Sequence, residues 1–159
     1  MRLAMLLLPS VIALSALMAG ETTAPGVVLE RLVQAISAGQ QPTRALNGIP
    51  ELAEWAKNYG ATVDGTGAAG FGRPPAWGYI TEQLKTEPDI RHLYLHVFHP
   101  PETGVIELRI PATAIKACRA FTEACVPIDF SVDRDGIISI PLPKTRDALD
   151  TVIELDLTK

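Results

Sequence analysis

Residues Arg91 to Pro101, RHLYLHVFHPP, alternate with a period of two. Leu93, Leu95 and Val97 fall on one side, and His92, Tyr94, His96 and Phe98 on the other. Alternation over this length reads as a half-buried β-strand with an aliphatic inner side and an aromatic and imidazole outer side. Pro100-Pro101 ends it, because proline offers no ladder N–H and restricts the residue before it. Strand patterns flank it at Trp77 to Gln83 (WGYITEQ) and Gly104 to Ile110 (GVIELRI). Together they predict the centre of an antiparallel sheet.

The remainder from Trp77 onward continues in short segments. Val126 to Val132 sets Ile128, Phe130 and Val132 against Asp129 and Ser131. Asp133 to Gly136 has tight-turn chemistry, and Ile137 to Leu142 returns. Thr151 to Leu157 alternates Val152, Glu154 and Asp156 against Ile153, Leu155 and Leu157. Ala114 to Phe121 fits helix and strand equally. About six or seven short strands with turns between them predict a mainly β fold, an antiparallel β-sandwich over 77–159. Ahead of it, 21–76 divides into a linker, two helices and a loop. Val27 to Ala38 carries Val28, Leu29, Leu32, Val33 and Ile36 at helical spacing, with Gly39 as its cap. Pro50 to Lys57 predicts the second helix, with Pro50 at its first position and Glu51 near its positive end. Asp64 to Pro75, DGTGAAGFGRPP, lacks the lysine of a phosphate-binding loop and reads as a flexible surface loop.

At 159 residues with 47% apolar composition, the chain can bury the core of one domain. It is too short for a (β/α)8 barrel, which takes about 250 residues. A formal net charge of −4 without any basic run argues against nucleic acid as a partner. Residues 1–20 begin with Met1-Arg2, continue uncharged from Leu3 to Gly20, and end in small residues at Ala16, Ala19 and Gly20. That is the form of a secretory signal peptide; the alternative is a membrane anchor that stays attached. Export makes the chain secreted or periplasmic, with no membrane association after cleavage. In an oxidising compartment Cys118 and Cys125 either form a disulfide or remain two buried thiols.

Catalytic constellations are sparse. His96 and His99 lie on opposite faces of a continuous strand and are read as imidazoles without a carboxylate partner nearby, packing or surface residues rather than ligands. Glu107, Asp129, Asp133, Asp135, Glu154 and Asp156 occupy positions expected in turns or facing solvent. Sequence alone does not bring two of them across a cleft for acid–base work. No cofactor or metal site is indicated.

Four patches, in order and in spacing, resemble the C-terminal β-sandwich of the family 29 glycoside hydrolases, the α-L-fucosidases. Trp77-Gly78-Tyr79-Ile80-Thr81 matches that family's Trp-Gly-Tyr-x-Thr strand. Tyr94 to Phe98, followed by Pro100, matches Tyr-Leu-His-Val-Phe and its terminal proline. Asp150 to Leu155 matches Asp-Thr-Val-Ile-x-Leu. Trp55, Gly60, Gly65 and Thr66 keep the register of a helix and turn upstream, although the family's Asn-Gly-Glu is here Tyr59-Gly60-Ala61.

In that family the nucleophilic aspartate and the acid/base glutamate belong to a (β/α)8 barrel preceding the sandwich. Only Glu21 to Ile49 separates the expected signal segment from the matched region. The resemblance therefore transfers no catalytic residue. It implies a sandwich without its barrel, inactive alone, whose partner is a separate catalytic barrel. A secreted module binding carbohydrate or another protein is the alternative. In the carbohydrate case Trp77, Tyr79, Tyr94 and Phe98 would stack on a sugar if exposed; buried, they are core.

Overall fold

The computed structural model describes residues 24–40, 49–84, 88–111, 114–122 and 124–158. The expected signal segment lies outside them. Among the described residues no helix is long and apolar enough to cross a membrane.

Helix α1 spans Pro25–Ser37 and buries Leu29, Leu32, Val33 and Ile36, the stripe set by their spacing. It stops at Gly39, whose φ of +80° suits a residue without Cβ. Across this residue the Gln40 N–H reaches the Ala35 carbonyl at 2.9 Å, closing the end of the helix. Helix α2 spans Pro50–Tyr59, buries Leu52 and Trp55, and runs into a 3-10 turn at Gly60–Thr62. Glu51 in its first turn and Lys57 in its last complement the helix dipole.

Eight strands follow: β1 Thr66–Ala68, β2 Gly78–Gln83, β3 Ile90–Val97, β4 Val105–Arg109, β5 Ile115–Ala120, β6 Ser131–Val132, β7 Ile137–Pro141 and β8 Thr151–Thr158. They form a five-stranded sheet ordered β1-β2-β3-β8-β5 and a three-stranded sheet ordered β4-β7-β6. Every pairing in both is antiparallel, as the alternation predicts. The β3–β8 pair is the spine. It runs from Ile90 opposite Thr158 to Val97 opposite Thr151, setting Leu93 against Leu155 and Leu95 against Ile153. These side chains meet Ile106, Leu108, Ile138 and Ile140 of the small sheet in the inter-sheet core. Trp77 ties β2 to β4 by donating its indole N–H to the Glu107 carbonyl at 3.3 Å.

Two open readings are resolved and one expectation, the glycine-rich loop, is corrected. The outer side of β3 is not open to water: α1 and α2 pack on it and enclose Tyr94 and Val152 with Leu29, Leu32, Val33, Leu52 and Trp55. Alternation reports side-chain polarity, and an amphipathic face can be covered by helices as readily as by solvent. The glycine-rich stretch is not merely a loop, since Thr66–Ala68 adds edge strand β1 and Phe71 packs on the inter-sheet core. Ala114 to Phe121, ambiguous in sequence, is strand β5, with a register irregularity between Ile115 and Ala117.

Leu95 is fully buried at the middle of this spine. Leu95→Ala is expected to cost about 2–5 kcal/mol through lost transfer energy and the cavity left behind. Equilibrium urea unfolding measures it; an unchanged midpoint would contradict the inward placement of this face.

Candidate functional site

All three histidines are paired with carboxylates remote in sequence. His96 Nδ1 lies 2.6 Å from Asp150 Oδ2, His92 Nδ1 2.6 Å from Asp156 Oδ1, and His99 Nε2 2.8 Å from Glu30 Oε1. The expectation of imidazoles without acidic partners fails because the partners arrive through the β3–β8 register and the docking of α1. His96 is within β3 while His99 lies beyond its end, so the two serve separate contacts.

The His96–Asp150 pair is wholly buried, with both side chains at 0% exposure. His96 Nε2 is 3.2 Å from Thr81 Oγ1, and that hydroxyl donates to the Thr62 carbonyl at 2.9 Å. His96 thus bridges Asp150 through Nδ1 and the Thr81 hydroxyl through Nε2. The order Asp–His–Thr resembles a nucleophilic triad, but the hydroxyl is fully buried and its proton is committed to the backbone. This chain joins β8, β3, β2 and the turn after α2. Its members fall in the four patches that carry the fucosidase resemblance: Asp150, His96, Thr81 and the Trp55–Thr66 turn. Gly78, in one of those patches, is equally structural: a Cβ there would stand 1.9 Å from the His96 carbonyl oxygen.

A second polar cluster lies on the same face of the large sheet. Glu154 is buried and Asp156 half-buried, which corrects their expected exposure. Arg119 on β5 donates from Nε to Glu154 Oε2 at 2.8 Å and pairs through Nη2 with Asp156 Oδ2 at 2.9 Å. Those contacts raise its pKa further above the usual range. From β3, His92 Nδ1 faces Asp156 Oδ1 and lies 3.7 Å from Glu154 Oε1. The neighbouring Tyr94 phenol is pushed up to about 12, mainly by burial and further by Glu154 and Asp156. Two acids at i and i+2 of β8 were the only sequence signal for this cluster. His92 and Arg119 join it through strand pairing that no local pattern encodes.

The four aromatic candidates for sugar stacking sit inside the fold. Trp77 belongs to the inter-sheet core and Tyr94 to the helix-covered face, each 7% exposed. Tyr79 and Phe98 pack edge to face at 6.1 Å against the helix-covered cluster. The Tyr79 phenol is held above its usual range by burial and by Glu30. Cys118 and Cys125 are free thiols in the structure. Cys118 faces the inter-sheet core, where burial pushes its thiol up to about 12 and keeps it from ionising at neutral pH. Cys125 is exposed, and its sulfur contacts the Thr122 carbonyl at 3.4 Å.

Two concavities mark the described surface. The larger, of about 810 Å³, lies between the β5 hairpin and the end of β7, and includes Tyr59, Val126, Pro127, Ile128, Leu142 and Lys144. Among its described residues Asp129 is the single carboxylate. The smaller, of about 350 Å³, lies between the end of α1 and the glycine-rich segment and includes Arg73 but no acidic residue.

No family model and no curated protein matches the sequence. Solved structures do match. An α-L-fucosidase of glycoside hydrolase family 29 from Bacteroides thetaiotaomicron superposes with a TM-score of 0.69 at 22% identity, over 85% of this chain and 32% of that one. The fold is shared with α-L-fucosidases. An α-L-fucosidase from Vibrio sp. strain EJY3 matches with a TM-score of 0.59 at 25% identity, over 82% of this chain and 25% of that one. The Thermotoga maritima α-fucosidase gives 0.56 at 17%, over 82% and 33%. This chain thus spans a third or less of the length of these fucosidases. The fucosidase-like likeness expected from the four patches therefore holds at the level of the fold.

Proposed function

We propose that the chain is the non-catalytic sandwich of an α-L-fucosidase-type glycoside hydrolase, and that its partner is a catalytic (β/α)8 barrel. The observation carrying this reading is the fate of the four patches shared with that family. They converge on a buried hydrogen-bond chain from Asp150 through His96 and Thr81 to Thr62, and none of these four residues lines either concavity. Retaining glycoside hydrolysis requires two carboxyl groups about 5–5.5 Å apart, set around a bound sugar. Glu154 and Asp156 are neighbours on one strand, both held by Arg119, and neither lines either of the two concavities described. The uncharged run from Leu3 to Gly20 supports export, and hence a secreted or periplasmic location.

The test is hydrolysis of an aryl α-L-fucoside by the purified chain. No turnover above the blank is expected. Turnover that disappears in Asp129→Asn or Glu154→Gln would overturn the proposal and identify a new active site in the sandwich itself.

A further inference from the structure

We propose that His92, Glu154 and Asp156 form a binding site for one divalent transition-metal cation of the zinc type. The inference is independent of the fucosidase reading. The candidate donor atoms, one from each residue, lie within 4.8 Å of one another. His92 Nδ1 stands 2.6 Å from Asp156 Oδ1 and 3.7 Å from Glu154 Oε1. Nitrogen and oxygen ligands about 2.0–2.2 Å from a tetrahedral zinc lie roughly 3.3–3.5 Å apart, so small side-chain rotations complete the geometry. The backbone beneath is the eight-pair antiparallel ladder of β3 and β8. His92 pairs directly with Asp156 across β3 and β8, and Glu154 lies two residues along on the same face.

Two features separate this cluster from an ordinary ion-pair network. Arg119 binds one oxygen of each carboxylate, Glu154 Oε2 and Asp156 Oδ2, and leaves the other oxygen of each toward His92. Ligating carboxylates are themselves hydrogen-bonded by outer-shell partners, a place that Arg119 fills here. The second feature is Glu154 itself, 8% exposed, whose Oε1 accepts no hydrogen bond from the described residues. His92 Nδ1, 2.6 Å from Asp156 Oδ1, is within hydrogen-bond range of that carboxylate and, at 3.7 Å, outside it for Glu154 Oε1. A bound cation satisfies all three groups together. Two carboxylates against one guanidinium leave a negative charge to attract it. An imidazole beside two carboxylates suits zinc better than magnesium or calcium, which take oxygen ligands alone. The His92 side chain is 23% exposed and leaves an approach for the ion and a water ligand.

The experiment titrates the metal-stripped full chain with zinc sulfate by calorimetry, and with cobalt(II) by visible absorption. A Cys125→Ser background removes the exposed thiol as a competing ligand. One zinc per chain is expected, together with cobalt bands of a four-coordinate site. His92→Ala and the near-isosteric Asp156→Asn should each weaken binding at least about 100-fold, since a direct ligand counts for no less than an outer-shell one. His99→Ala, which removes the other partly exposed imidazole–carboxylate pair, should leave affinity unchanged. Thermal unfolding of Asp156→Asn without metal shows whether the fold persists. No binding heat and no cobalt absorption would overturn the proposal, as would binding that survives both His92→Ala and Asp156→Asn.

Discussion

Asp150→Ala is expected to destabilise the fold by about 3–5 kcal/mol, because it strands a buried imidazole that no other described group can balance. Single domains hold about 5–15 kcal/mol in all, so this loss approaches unfolding. Both side chains are fully buried, and among the described residues His96 Nδ1 has Asp150, at 2.6 Å, as its hydrogen-bond partner. Asp150 Oδ1 already lacks a partner among the described residues, so the pair is maintained on one strong bond. Urea unfolding of three variants separates the interaction from the packing: Asp150→Ala, His96→Leu, and the two together. Removing one partner leaves an uncompensated polar group, whereas replacing both can approach neutrality. The double variant is therefore expected to be more stable than Asp150→Ala alone. Strict additivity of the two single losses would mean that the pair is not coupled.

Gly78→Ala is expected to cost at least about 3 kcal/mol, the upper range for forcing atoms into a packed interior. A Cβ at Gly78 would stand 1.9 Å from the His96 carbonyl oxygen and 3.0 Å from its carbon, and neither is a flexible side chain. Relief requires β2 to part from β3. That separation breaks the bonds from the Phe98 and His99 N–H groups to the Trp77 carbonyl, at 3.1 and 3.0 Å. It also draws the Trp77 indole away from Glu107. Gly60 supplies the contrast within the same set of patches. Its φ of −55° and ψ of −33° are helical, and the nearest atoms to an added Cβ are 3.9 Å away. Gly60→Ala should be neutral or stabilising by up to about 1 kcal/mol. Circular-dichroism melts of the two variants give the comparison, and equal stabilities would contradict the close approach of β2 and β3.

Sequence by itself determined much of the architecture. The two-residue alternation of β3 and β8 placed Leu93, Leu95, Ile153 and Leu155 in one core, because inward and outward positions are fixed by the pleat. Helical spacing and terminal signals did the same for α1 and α2, whose bounds fall within two residues of those read from the pattern. The shared patches were legible as a resemblance, though not as a cause.

The tertiary structure decided what those patches are for. His96 and Asp150 are 54 positions apart, and only the β3–β8 register turns two unremarkable residues into a buried pair. The same register unites His92 with Asp156 at a separation of 64, and β5 brings Arg119 to Glu154 from 35 away. Local periodicity carries the polarity of a face but not what covers it. The outer side of β3 was therefore left open between solvent and core, and the packing of α1 and α2 decides it. A polar group's meaning in a fold depends on whether water or another side chain answers it, and that choice is made by long-range packing.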